Sequence, residues 1–260
     1  MENQQFNRQP HAALKLGFGM LAVFVLSLII DPAAGRAMQL EGYGAWEGDS
    51  HGVGFGFYSV SLIGPLNERF AWIGKVEGSY LYYDFGSDDQ QTDVTSPGAG
   101  LFAGGRLTAG ATMAQLLAGV ERRWDRKVER FAGGERRSDL DLQQGGVVQG
   151  MVDHSIGKRA VVNGFSSHSF KSRYSFGRLA VKLPVTRSGN WTDRLAVGLE
   201  AILQGNRDLL TRQGGGFIEI DVIPGRFSFG MKGGFKRTRF SEGEDQEGSY
   251  VGLQAYTRFR

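Results

Sequence analysis

Beyond residue 40 the chain alternates between apolar and polar positions. From Phe70 to Tyr82, Phe70, Trp72, Val76, Tyr80 and Tyr82 fall on one face, and Lys75, Glu77 and Ser79 on the other. A period of two marks a β-strand, whose successive side chains point to opposite faces. At the C-terminus Val251, Leu253, Ala255, Thr257 and Phe259 alternate with Tyr250, Gly252, Gln254, Tyr256 and Arg258. Likewise Leu195, Val197, Leu199, Ala201 and Leu203 oppose Glu200 and Gln204, and Ile218, Ile220 and Val222 oppose Glu219 and Asp221. Phe227, Phe229, Met231 and Phe235 oppose Ser228, Lys232 and Lys236. A soluble sandwich would turn the apolar faces to a core, whereas a membrane barrel would turn them to lipid and the charged faces to a lumen. Charged faces would be costly if both sides were dry. The aromatic spacing points to the barrel. Trp72 and Tyr82 lie ten residues apart, roughly 33 Å along a strand. At a tilt of about 40° that becomes roughly 25 Å, the height of the lipid-facing band between aromatic girdles.

The pattern predicts strands at 38–47, 52–63, 69–83, 99–110, 112–124, 145–156, 160–170, 173–184, 194–205, 213–222, 227–238 and 249–259. Connections after even strands are mostly tight: Gly64 to Glu68, a turn near Gly110-Ala111, Gly157 to Arg159, and Ile223 to Arg226. Only Val185 to Asp193 is longer. Three connections after odd strands are long and charged: Asp84 to Gly98, Asp125 to Gln144, and Arg239 to Gly248. Short turns on one rim and long loops on the other are the asymmetry of bacterial outer-membrane barrels. An even count returns both termini to the periplasm, and the strand at 38–47 is included partly because that parity requires it. The expected fold is all-β: an antiparallel up-and-down transmembrane β-barrel of about 12 strands.

The first residues read as an address. Arg8 and Lys15 precede the apolar run Leu16 to Ile30, and the small residues Ala33, Ala34, Gly35 and Ala37 follow. This matches a secretory signal peptide. Fifteen apolar residues rise roughly 22 Å as a helix, short of the roughly 30 Å hydrocarbon core. The expected division is therefore a cleaved signal peptide at 1–37 and a barrel at 38–260, in the outer membrane of a Gram-negative bacterium.

Composition narrows the chemistry. The 260 residues hold 40 Gly, 18 Phe, 8 Tyr and 4 Trp but no Cys, so disulfides, thiolate metal sites and a Cys nucleophile are excluded. Gly54, Gly56, Gly104, Gly177, Gly230 and Gly252 fall inside expected strands, where they can leave room for long lumenal side chains opposite. Lys and Arg number 30 against 27 acids, so no global basic field calls for nucleic acid. No metal-ligand spacing and no cofactor motif is present, and none is expected. His154 and His168, with Ser155, Ser166, Ser167 and Ser169 nearby, raise the reading of a lipid acyl hydrolase on the barrel wall. It requires His and Ser on one face at one height. Solvated strand ends are the plainer reading.

The inward charges Lys75, Glu77, Arg106, Glu121, Glu200, Glu219, Asp221, Lys232 and Lys236 are the candidate lumenal residues. They either form a ligand track or pair and fill the bore. Eight strands leave a lumen filled by side chains and sixteen a channel, so twelve can be narrow. A small-solute porin therefore stays open as an alternative. The run Arg122, Arg123, Arg126, Lys127, Arg130, Arg136 and Arg137, broken by Glu121, Asp125, Glu129 and Glu135, is a solvated loop that could meet lipopolysaccharide phosphates.

Several segments resemble one family. Tyr58-Ser59-Val60 and the turn Gly64-Pro65-Leu66 run into Phe70, and Gly78-Ser79-Tyr80-Leu81-Tyr82-Tyr83 closes the third strand. Val197-Gly198-Leu199-Glu200-Ala201, with Gly205-Asn206 and Gly214, completes the set, Leu199 standing where the family has Pro. The sequence resembles the BcsS-like cellulose biosynthesis proteins of Gram-negative bacteria. The resemblance spans most of the chain beyond residue 37 and carries no catalytic signature. It implies a non-enzymatic outer-membrane accessory to cellulose or exopolysaccharide biosynthesis, export or surface retention. The partners it implies are glucan and cellulose synthase secretion components, besides outer-membrane lipid and lipopolysaccharide. Sugar faces stack on aromatic rings, which makes Tyr83, Phe85, Phe131 and Phe240, beside the charged loops, the candidates for glucan contact.

Overall fold

Closure rests on the first strand. β1 (Gln39–Asp49) pairs antiparallel with β2 (Gly54–Pro65) on one side and with β14 (Gln246–Phe259) on the other, from Leu40 opposite Phe259 to Asp49 opposite Tyr250. The computed structural model describes residues 38–259 apart from 88–89, 132, 140–142, 186–193, 208 and 242–244. The expected leader, 1–37, lies outside the described residues. The remaining strands are β3 (Phe70–Ser87), β4 (Gln90–Ala109), β5 (Thr112–Arg123), β6 (Arg126–Phe131), β7 (Gly134–Asp139), β8 (Gln143–Ile156) and β9 (Ala160–Ser169). They continue with β10 (Tyr174–Pro184), β11 (Leu195–Gly205), β12 (Leu209–Ile223) and β13 (Phe227–Phe240). Twelve of them form a closed antiparallel wall in the order β1-β2-β3-β4-β5-β8-β9-β10-β11-β12-β13-β14, and β6–β7 hangs on β4 as an added hairpin. Twelve strands about 4.8 Å apart, tilted about 40°, give a backbone radius of roughly 12 Å.

The alternation read from the sequence becomes the two faces of this wall. Leu199 and Phe235 point outward, 72% and 78% exposed, and Glu200, next to Leu199, is buried at 4%. Leu101, Leu116, Ile218, Met231 and Val251 share the outer face. A continuous apolar belt around a closed barrel is stable only against hydrocarbon, and the charged inner face needs water or partners. The protein is an outer-membrane β-barrel. Glycine lets bulky side chains lie flat on the wall. A Cβ on Gly78 would sit 2.3 Å from the Tyr58 ring outside, and one on Gly119 would sit 2.6 Å from the Phe102 ring inside. Around that ring Ile63, Ile73, Leu117 and Val147 form a small apolar core on one side of the lumen.

The three long loops expected from charge are largely strand. β3 and β4 continue through Asp84 opposite Asp93 to Ser87 opposite Gln90, where an open loop was expected from Asp84 to Gly98. The stretch expected as a loop from Asp125 to Gln144 holds β6 and β7, and β6 pairs with β4 from Thr95–Arg126 to Gln90–Phe131. Between Arg239 and Gly248, β13 runs on to Phe240 and β14 begins at Gln246. The buried positions of β4 in this stretch, Thr92, Val94 and Ser96, are mostly polar, so hydrophobic periodicity does not reveal the strand. The result is an upright blade. β2 stops pairing with β3 at Tyr82, and β5 stops pairing with β4 at Gly98. Above those points only β3, β4, β6 and β7 continue. Five residues from Tyr82 to Ser87 carry the blade about 17 Å higher.

Candidate functional site in the lumen and at the outer rim

Inside the barrel, long charged side chains tie walls that are not neighbours. Arg106 on β4 donates to both oxygens of Glu41 on β1, at 3.1 and 2.6 Å, and Arg258 lies 3.2 Å from the same carboxylate. Lys232 on β13 bridges Glu47 of β1 at 2.7 Å and Glu200 of β11 at 3.5 Å. Glu200 also accepts from Arg178 at 2.7 Å and from the Tyr250 hydroxyl at 3.1 Å. Gln213 of β12 donates to Glu47 at 2.8 Å. Lys75 pairs with Glu77 at 2.6 Å, and both hydrogen-bond to Gln149 of β8, three strands away. Such bonds run as chords across the bore. Those between non-neighbouring strands each span two or three strand steps along the inner wall, and together they narrow the bore of a barrel of this radius.

These contacts account for most of the lumenal residues expected from sequence. Lys75, Glu77, Arg106, Glu200 and Lys232 lie in the chords just described. Glu219 pairs with Lys182 at 2.9 Å, and Asp221 stands two residues further along the same inner face. Glu121 accepts from Ser169 and pairs with Arg123 at 3.4 Å. Lys236 is ion-paired with Asp49. Sequence reasoning missed the partners Glu41, Glu47, Asp49, Arg178, Lys182 and Arg258. A signal existed: Arg178 and Lys182 alternate with Leu179, Val181 and Leu183, and Glu41 and Glu47 share one parity of β1.

A cavity of about 450 Å³ lies among the chords. Its apolar lining comes from two patches. Tyr43 and Phe55 flank Phe57 on β1 and β2, with ring centroids 5.2 and 5.9 Å from Phe57. Phe165 and Phe176, 5.8 Å apart, stand on β9 and β10. Five strand steps separate the two patches in either direction around the ring, so they face one another across the lumen.

The rim candidates do not form one platform. Tyr83 faces inward at the foot of the blade, opposite Val94. Phe131 is exposed at the end of β6, opposite Gly134. Phe85 stands on β3 opposite Thr92, and Phe240 on β13 opposite Leu209; their side chains lie outside the described residues. From Arg126 onward the basic run is the hairpin of the blade. Arg130 reaches Asp93 at 2.6 Å and Glu135 at 3.6 Å, while Arg137 pairs with Glu135 at 2.5 Å and Lys127 with Glu129 at 2.7 Å. Hydrogen bonds from Lys127 and Arg137 hold the carboxyls of Glu129 and Glu135 below the ordinary range. On the outer face below, the Arg122 guanidinium sits 5.3 Å from the Trp124 ring.

The two histidines of the wall do not form one site. His154 contacts Thr112 at 2.9 Å near the short-turn rim, whereas His168 contacts Ser175 at 2.9 Å near the outer rim. Six residues of β8 separate their positions, Val148 being opposite His168, about 20 Å along the strand.

Among solved structures the chain is similar to the translocator domain of autotransporter NalP from Neisseria meningitidis, at 13% identity, with 96% of each chain covered and a TM-score of 0.48. It is also similar to the beta domain of the Bordetella autotransporter BrkA, at 10% identity over 85% of this chain and 98% of that one, with a TM-score of 0.46. A third is the KdgM porin in complex with disordered oligogalacturonate, at 6% identity over 85% and 99%, with a TM-score of 0.41. No curated protein matches the chain. The family described as cellulose biosynthesis protein BcsS matches residues 61–259. That stretch takes in eleven of the twelve wall strands in whole or part and the entire blade, and by it the chain belongs to the BcsS family of cellulose biosynthesis proteins.

Proposed function

We propose that this barrel is a non-enzymatic accessory of cellulose biosynthesis that retains the polymer at the cell surface. Family membership supplies the link to cellulose. One observation favours retention over conduction: the chords from Arg106 to Glu41 and from Lys232 to Glu47 and Glu200 narrow the bore that a polymer would thread. The blade offers a surface above the membrane where glucan can be held, with Tyr83, Phe85 and Phe131 as its aromatic contacts and Phe240 on β13 at another part of the mouth. Arg122 and Arg126, on the outer face beside Trp124, suit the phosphates of lipopolysaccharide. Glucan and the cellulose synthase secretion components are the partners. The test is deletion in a cellulose-producing cell, with calcofluor measurement of cell-bound and released polymer. Polymer shifting from cells to medium supports the reading, and an unchanged distribution overturns it.

The contact of His168 with Ser175 favours a second reading, a lipid acyl hydrolase acting at the outer leaflet. Replacing Ser175 with Ala and comparing acyl patterns of lipid A and phospholipid separates the two. Retention predicts no change.

A further inference from the structure

We infer that the lumenal cavity is a binding site for a short, neutral, β-linked oligosaccharide, the end or a brief segment of a glucan chain. The inference rests on the cellulose reading above and gives it a place inside the barrel. Size is the first argument. About 450 Å³ falls within the roughly 300–1,000 Å³ of small-molecule sites, and the chords limit the occupant to a short piece.

Shape and chemistry follow. Sugar rings in β-linked glucans present flat C–H faces and a girdle of hydroxyls. The cavity offers aromatic faces on two opposed walls, Tyr43 with Phe57 on one and Phe165 with Phe176 on the other. Between them stand polar groups such as Asn163, Arg178 and Gln204. A ring slipped between the two patches places its faces on π-systems and its edges on hydrogen-bond partners.

Charge decides against an ionic occupant. Six cations (Lys75, Arg106, Arg178, Lys182, Lys232 and Arg258) face six anions (Glu41, Glu47, Glu77, Asp153, Glu200 and Glu219) in and around this space. Each cation is bonded to at least one of those anions. A track for uronates or phosphates would leave a surplus of unpaired cations. Here the field cancels locally, while the bonded groups keep hydrogens and lone pairs free for hydroxyls.

Isothermal titration of the folded, detergent-solubilised barrel with cellotriose and cellotetraose tests this, with maltotriose and a galacturonate trimer as comparisons. Saturable binding of the cello-oligosaccharides, tighter than of the other two, is the expected result. Phe57→Leu and Phe176→Leu should each weaken it about threefold to tenfold. Met151→Trp fills the cavity instead of emptying it and should abolish binding. A heat-modifiable gel shift verifies folding of every variant. Absence of binding at millimolar ligand by the folded protein overturns the inference, as does tighter binding of the galacturonate or unchanged affinity in all three variants. If no oligosaccharide binds while deletion still releases cellulose from cells, the cavity assignment falls and the retention role stands. If oligosaccharide binds and deletion changes nothing, the reverse holds.

Discussion

Arg106 and Glu41 meet through two hydrogen bonds, 3.1 and 2.6 Å, although three strand steps separate β4 from β1 around the ring. Both side chains are nearly shielded, at 12% and 11% exposure. The pair therefore braces the wall across a chord that backbone hydrogen bonds do not span. Arg106→Met leaves Glu41 with Arg258 as its remaining cationic partner, and the cost should be about 2 kcal/mol. Urea unfolding in lipid vesicles measures it. The double variant Arg106→Met, Glu41→Leu should recover part of the loss, since it leaves no carboxylate stranded.

If the chord network narrows the bore, it limits conductance. In planar bilayers the protein should pass little current. Replacing Glu47, Glu200 and Lys232 together with Ala removes the bridge between β1, β11 and β13, and conductance should rise several-fold. A wild type as conductive as an open porin would refute the narrowed bore.

Leu199 and Glu200 are neighbours that meet opposite solvents. Leu199→Arg places a charge on the lipid face and should cost about 2–4 kcal/mol if it lies near the bilayer midplane. The same change at the blade's exposed Phe131 should cost almost nothing. Comparing the folded fraction of both variants in vesicles, by gel shift, checks the orientation of the wall.

The blade should loosen in acid. Glu129 and Glu135 carry carboxyls held below the ordinary 4.5 by bonds from Lys127 and Arg137. A carboxyl depressed in the folded state stabilises above its unfolded value and loses that contribution as pH falls through its folded value. Glu135 also pairs with Arg130 across the hairpin, so pairing of β6 with β7 should be constant from pH 7 down to 4.5 and weaken below it. The chain has no Cys, so Phe131→Cys takes a single spin label. Its mobility should rise below pH 4.5, and at high salt as well, because these pairs are exposed.

The wall was legible in the sequence because lipid imposes a strict rule. Outward positions within the membrane band of β11 and β13, from Leu195 to Leu203 and from Phe227 to Phe235, carry no charge, and a two-residue period records that. Leu199 beside Glu200, or Met231 beside Lys232, announces which side is which. The blade obeys no such rule. Asp84 stands opposite Asp93 in register, and the buried positions beside it, Thr92, Val94 and Ser96, are mostly polar, so the stretch reads as loop. Of the lumen, single charges such as Lys232 were visible, but the partners that bridge it come from strands far apart in sequence. Glu47 and Lys232 are 185 residues apart. The aromatic patches stayed hidden because Phe57 and Phe176 look, by composition alone, like two more lipid-facing rings.

One side of the mouth carries a wall extension that the other strands do not share. Anything that approaches the mouth therefore meets a vertical face from one direction and a low rim from the other. The molecule has a heading within the plane of the membrane, and any array it joins must choose which way each member looks.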